Sequence, residues 1–277
     1  MSGAPQADDD LIARAAAGDR TAFAALVERH GRAVLTIGRA LGRSEADAQD
    51  IAQETFLSAL RASSTYRPGI ASVRSWLFAI ARNAGRRTRR TEREVPSDTI
   101  DESPLLDLGI AAGWGSEPSD SALERFESLE ELARAIASLS VDDREILVLR
   151  DIEALSGEET AEVLGLATAA MKSRLHRARL RLMGALRASE GGIVANERDV
   201  GGIACSAVLE RLGEYVDREL PASEVAKVDA HLRGCTVCER FGGRYGRTVH
   251  AARTRLGAEH AIDDATLERV RTALGLA

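Results

Sequence analysis

At 277 residues, with 44% hydrophobic but only 4% aromatic side chains, the chain has room for two or three small domains. Its wealth of Ala, Leu and Arg favours helices. The formal net charge of −6 would weigh against nucleic-acid binding if it were spread evenly, but residues 72–93 hold seven Arg against one acid, while 94–131 hold eleven acids against one Arg. No apolar run approaches the roughly 18–20 residues of a membrane span, and the start MSGAPQADDD lacks a basic-then-apolar leader. Three cysteines near one end are too few for a disulfide scaffold. The expectation is an all-α cytoplasmic protein without a membrane partner.

In chain order, Asp8–Asp10 precede an amphipathic segment that runs to Gly42, with Leu11, Phe23, Leu26, Val27, Val34, Leu35 and Ile37 as its apolar positions. A second helix starts near Ser44, which can cap it with Asp47 three residues on, and continues to about Arg61. Its polar edge is Asp47, Asp50, Gln53 and Glu54. Pro68-Gly69 makes Tyr66–Ser72 a loop. The helix VRSWLFAIARNAGRRTRR follows, with Val73, Leu77, Ile80 and Ala84 on a buried stripe. Beside it lie Trp76, Asn83, Arg87 and Arg90, with Arg86 adjacent, a set suited to unstacked bases and phosphates. Packing of Trp76 in the core is the alternative for that residue. From Glu94 to Ser121, Pro, Ser, Gly and acids without periodicity predict a flexible acidic linker. Trp114 stands in it between two glycines.

Ser140 and Asp143 predict a capping box for the helix that carries Ile146, Leu147 and Leu149. The stretch SGEETAEVLGLATAAMKSRLHRARLRL then reads as two short helices, Glu158–Leu164 and Thr168 onward, joined by a tight turn at Gly165. In the second, Met171, Leu175, Ala178 and Leu182 form one apolar stripe, and Lys172, Arg174, Arg177, Arg179 and Arg181 occupy the rest, with no acid between Lys172 and Arg187. A solvated cationic face would explain the charge alone. The helix–turn–helix context favours a DNA-reading helix in which Thr168, Lys172, Arg174, His176, Arg177 and Arg179 meet phosphates and base edges. Two Gly-Gly pairs in ASEGGIVANERDVGGI predict a hinge over 190–202.

Cys205, His231, Cys235 and Cys238 are separated by 25, three and two residues. Two sulfurs in C-x-x-C grip one ion, His231 reaches it from the preceding helical turn, and Cys205 closes a tetrahedral Cys₃His set, the ligand pattern of a structural zinc ion. Four protein ligands leave no position for a catalytic water, and no Gly-rich phosphate loop or nucleophile–base set appears elsewhere, so no enzyme is expected. The alternative is that Cys205 is an ordinary buried cysteine and the other three hold metal weakly.

DAQDIAQETFLSALR, RSWLFAIARN and LSVDDREILVLR…LSGEETAEVLGL…MKSRLHRAR together resemble the extracytoplasmic-function sigma factors, over about residues 8–94 and 123–188. That resemblance implies two helical domains, region 2 (1–94) and region 4 (122–189), joined by the linker 95–121. It implies that Asp47, Asp50, Gln53 and Glu54 bind core RNA polymerase. The Tyr66–Ser72 loop and Asn83 would capture a flipped base of the minus-ten element of promoter DNA. The helix from Thr168 would read the minus-thirty-five element. Gly157 and Thr160 stand where the family has larger residues, and Ala167 stands where it has Ser or Pro, changes expected to cost about 1 kcal/mol for the cap and roughly 0.5–1 kcal/mol for the glycine. Residues 203–245 resemble the zinc-binding anti-sigma domain, with Leu209, Leu212, Tyr215 and Val216 on its first helix; the domain is expected to span 203–277, with further helices over about 240–256 and 264–275. Fusion of inhibitor to target implies an intramolecular contact between the C-terminal domain and the sigma regions, at an effective concentration of order millimolar. A sigma factor regulated in cis is the leading expectation. The rivals are a tail that supports transcription, and an interaction protein whose sigma part no longer initiates.

Overall fold

The computed structural model describes residues 7–91, 104–114, 129–186 and 197–256, with a few positions between 268 and 275. The fold is all-α; among the described residues the strands are one two-residue pair. Residues group into two compact units, the first from 1–98, 148–166 and 258–277, the second from 99–147 and 167–257.

In the first unit, the amphipathic segment expected before Gly42 divides. Helix α1 (Asp8–Ala16) stops at Gly18, whose φ of +96° suits a residue without Cβ, and Asp19 caps helix α2 (Arg20–Leu41) through the amides of Thr21 and Ala22. Helix α3 (Glu45–Ala62) opens with the expected reciprocal capping box of Ser44 and Asp47. It crosses α2 closely at Gly38, where a Cβ would lie 2.5 Å from the Ala48 carbonyl oxygen. Phe23, Leu26, Val34, Phe56 and Phe78 fill the core between α2, α3 and α4 (Val73–Thr91). Residues 148–166 also belong to this unit, because helix α8 (Gly157–Leu164) packs on α4. Glu159 takes the Ser72 and Ser75 hydroxyls at 3.3 and 3.0 Å, and Glu153 pairs with Arg74.

The cost expected for Gly157 does not arise. It is the first residue of α8, behind a Ser156–Glu159 capping box, so its backbone sits at a helix start and not in an interior. Thr160 is fully buried and donates its hydroxyl to the Ser156 carbonyl at 2.8 Å. Gly165 ends α8 in the left-handed region, as the turn requires.

The second unit is built around helix α9 (Thr168–Leu186), against which pack α5 (Leu105–Ala111), α6 (Leu129–Ser138), α7 (Val141–Leu147) and the C-terminal helices α10 (Cys205–Val216) and α12 (Thr236–Ala251). Two sequence expectations differ here. The linker expectation covers α5, which is helical and ends in a Schellman turn. In that turn Gly113 takes φ +91°, its amide bonds Ile110 O, and the Trp114 amide bonds Gly109 O. The hinge expectation covers strands β1 (Asp199–Val200) and β2 (Ile203–Ala204), a hairpin whose two-residue loop Gly201-Gly202 has positive φ at both positions. Residues 95–103 and 115–121 of the predicted linker, 122–128 and 187–189 at the ends of the predicted region 4, 190–196 of the predicted hinge, and most of the helix predicted over 264–275 lie outside the described residues.

Candidate metal centre and nucleic-acid interface

Cys205 opens α10, His231 lies in the last turn of α11 (Ala222–Gly234), Cys235 stands in the one-residue break before α12, and Cys238 is in the first turn of α12. The four ligand atoms lie within 4.8 Å of one another and all four residues are buried. Cys205 Sγ is 3.8 Å from Cys235 Sγ and 3.5 Å from His231 Nε2. A tetrahedral ion with sulfur at about 2.3 Å and imidazole nitrogen at about 2.0–2.1 Å requires edges of about 3.8 and 3.5 Å, so the donor set fits such an ion. The hairpin prepares the histidine. Its Nδ1 lies 3.1 Å from Val200 O and 2.8 Å from Ile203 O, two acceptors, so Nδ1 carries the proton and bare Nε2 faces the sulfurs. Burial pushes the Cys238 thiol up; at Cys235 burial acts in the same sense but is outweighed by hydrogen bonds from the Cys238 amide and the Cys205 thiol, which bring the thiol down to about 7. A bound ion would tie α10, α11 and α12 together, with no position left for substrate.

The basic helix has two buried faces. Met171, Leu175, Ala178 and Leu182, the apolar stripe predicted from spacing, are all buried. A second stripe, Lys172, His176, Arg179 and Met183, turns toward the metal module. Arg179 and Asp217 form a bidentate pair at 2.9 and 3.0 Å, with side chains only 1% and 5% exposed. Arg253 adds a third bond to Asp217 at 2.6 Å. His176 Nε2 lies 2.9 Å from Leu209 O, so it donates there, and Nδ1 accepts from the Tyr245 hydroxyl at 2.8 Å. Burial lowers this imidazole to about 4. Gly213 makes room for the ring, since a Cβ there would lie 3.2–3.3 Å from it. Lys172 bridges Glu214 and Glu219, each at 2.9 Å, and these acids raise its pKa. Asp217, Arg218 and Glu219 turn at the end of α10 in a Schellman geometry that puts Arg218 at φ +59°, which costs a non-glycine residue about 1 kcal/mol.

The remaining candidates spread over several environments. Arg174 pairs with Asp142 at 3.0 Å, Arg177 is half-buried and bonds Ser173, and Thr168 is exposed. On α4, Asn83 and Arg87 are exposed and Arg86 is half-buried, while the side chain of Arg90 lies outside the described residues. Trp76 is half-buried edge-on to Tyr66, ring centroids 5.5 Å apart, and the Tyr66 hydroxyl lies 2.7 Å from Asp9 and 2.8 Å from Ala71 O. On α3, Asp50 is exposed and Gln53 half-buried; Asp47 is spent on its capping box, and Glu54 holds Ser58 and Arg61.

Family models match three stretches of the chain: "Sigma-70 region 2" over residues 26–95, "Sigma-70, region 4" over 129–182 and "Putative zinc-finger" over 205–238. RNA polymerase sigma factor CnrH of Cupriavidus metallidurans is 36% identical over 185 residues, 66% of this chain and 95% of that protein. The chain belongs to the RNA polymerase sigma factors of the extracytoplasmic-function family. Sigma factor SigM of Mycobacterium tuberculosis is 34% identical over 177 residues, 64% of this chain and 83% of that one. Among solved structures, CnrH in complex with the cytosolic domain of CnrY matches 67% of this chain and all of that one at 32% identity, with a TM-score of 0.48. As a sigma factor the protein is a transcription initiation factor and not an enzyme. Its Cys205, His231, Cys235 and Cys238 cluster, which could hold a metal ion, lies within the stretch matched by the "Putative zinc-finger" model. Among the described residues no helix is long and apolar enough to cross a membrane.

Sequence reasoning did not find Glu214, Asp217, Glu219, Tyr245 or the hairpin carbonyls. One signal was present. Lys172, His176 and Arg179 recur at four and three positions on α9, and three acids recur within six residues at the end of α10.

Proposed function

We propose that this sigma factor directs promoter-specific initiation and that its C-terminal module, folded around one zinc ion, restrains it in cis by occupying the reading face of α9. The observation that carries this reading is the buried Arg179–Asp217 pair. An arginine without a counter-ion would not be sealed from water, so Asp217 supplies in the docked state the charge that a phosphate supplies on DNA. In the released state, Thr168, Lys172, Arg174, His176, Arg177 and Arg179 face the minus-thirty-five element. Asn83, Arg86, Arg87 and Arg90 serve the minus-ten element, and the α3 edge of Asp47, Asp50, Gln53 and Glu54 engages core polymerase in the cytoplasm. Zinc is favoured over other ions by a closed set of three thiolates and one imidazole.

The test is transcription from a promoter library with purified core polymerase, comparing the whole chain with a variant ending at Ser189, zinc being quantified in both. The expected result is about one zinc per whole chain and higher transcription from the shorter variant. Loss of transcription on truncation would make the module a required part of the factor and overturn inhibition in cis.

A further inference from the structure

Trp114 ends the Schellman turn of α5 and is 2% exposed, within the apolar cluster that also holds Cys205, Cys235 and Cys238. Its indole Nε1 is sealed from solvent and makes no hydrogen bond of ordinary length and angle to any protein atom. A buried N–H without an acceptor costs about 1–3 kcal/mol, so its placement needs a reason. The sulfur it lies against in that cluster is Cys238 Sγ. A metal-bound thiolate is the acceptor such a donor lacks. The rest of the segment is fixed in the same place. Arg244 of α12 donates to Ala112 O at 2.7 Å, and Gly109 lets α5 approach so closely that a Cβ there would lie 2.6 Å from Leu209 Cδ2. Leu105, Leu108 and Ile110 pack on the same cluster.

We propose that Trp114 is a positioning residue of the metal site, and that its indole, resting on Cys238, couples metal occupancy to the docking of α5, the segment that joins the two sigma regions. This rests on the reading of the Cys₃His cluster as a metal site. With the ion in place the thiolate accepts the indole N–H and α5 is held against α9 and α10. With the ion gone the donor is unsatisfied and the segment is released. The metal module thus restrains the linker as well as the reading helix.

The chain has two tryptophans, so the emission of Trp114 is the difference between the whole wild-type chain and Trp114→Phe. Zinc content, the rate of zinc release to a chelator and the emission maximum would be measured on both. The expected result is about tenfold faster release from Trp114→Phe, the usual effect of removing an outer-shell hydrogen bond, and a shift of Trp114 emission to longer wavelength when wild type is stripped. Gly113→Ala, which puts a Cβ on a residue at φ +91° and so strains the turn that presents Trp114, should also speed release. Absence of zinc from the whole chain overturns both this inference and the metal reading. Bound zinc with equal release rates in all three proteins and an unmoved Trp114 emission overturns this inference alone.

Discussion

Helices α4 and α9 carry the same message in sequence, arginines flanking an apolar stripe, yet the structure treats them differently. On α4, Asn83 and Arg87 stand in solvent. On α9, Arg179 and His176 are buried and Lys172 is spanned by two acids. The helices differ in their partners and not in their own composition. Helix α10 and the turn after it offer Glu214, Asp217 and Glu219 together with the Leu209 carbonyl at the spacing of the α9 stripe, and on α3 Glu54 lies 3.8 Å from Arg87. A basic face marks where an anion goes; whether that anion is DNA or a neighbouring helix is decided by residues far away in the chain.

The largest way to break the comparison is Asp217→Ala. In the docked state it strands Arg179 in a dry site, at a cost of about 3–5 kcal/mol, whereas with α9 in water the arginine is hydrated and nothing is lost. Docking should weaken by that amount. The check is amide exchange across α9 and promoter-DNA affinity, both expected to rise by two orders of magnitude or more. Unchanged exchange would mean that the pair does not hold the helix.

Acid should act in the same direction and less strongly. His176 has a folded pKa lowered to about 4 by burial, against about 6.5 in the open chain, so the open state binds the proton more tightly. Docking is therefore complete above pH 6.5 and is lost progressively as pH falls toward 4, by about 3 kcal/mol in all. Thiolates also take up protons in that range, so the test is the difference between wild type and His176→Gln at constant bound zinc. Gln can donate to Leu209 O and accept from Tyr245 without titrating, and its slope of α9 opening against pH should be flatter.

How much of this was legible follows from the range of each interaction. The capping box at Ser44, the Gly165 turn, the apolar stripe of Met171, Leu175, Ala178 and Leu182, and the spacing of Cys205, His231, Cys235 and Cys238 follow from local pattern, and the sequence shows them. The second buried face of α9 is not local. His176 meets Leu209 and Tyr245 across separations of 33 and 69 residues, and a lone histidine in a basic helix carries no sign of them. Gly201-Gly202 was ambiguous, since a flexible hinge and a tight hairpin turn demand the same residue; only β1 and β2 around it decide. Trp114 sat in a stretch whose composition predicted a tether, and LGIAAGW is too short for periodicity to override that composition.

Gly213→Ala should have a smaller effect of mixed sign. Alanine is the better residue inside α10 by roughly 0.5–1 kcal/mol, so the metal module itself should gain stability. Its Cβ at 3.2–3.3 Å from the His176 ring forces the docked helices apart by a few tenths of an ångström, at about 1 kcal/mol or more. A protein with a steadier module and a looser α9, read by amide exchange in α10 and α9, would show that close approach and not module stability sets docking. Parallel changes in both helices would refute that separation.

The smallest expected effect sharpens the comparison from its open side. Arg87→Ala removes a side chain that is 72% exposed, so stability and α9 docking should change by less than about 0.5 kcal/mol. If Arg87 serves the minus-ten element, the loss appears only with DNA: weaker binding, nearly uniform across sequences, and a salt slope shallower by about one. Arg179→Ala would behave oppositely, changing docking before it changes DNA binding, because in the restrained protein Arg179 already has its anion. A shallower slope for Arg87→Ala in the whole chain, beside one for Arg179→Ala that appears only after truncation at Ser189, would assign the two helices to open and occupied surfaces. Equal behaviour of the two variants in the whole chain would mean that α9 is as accessible to DNA as α4.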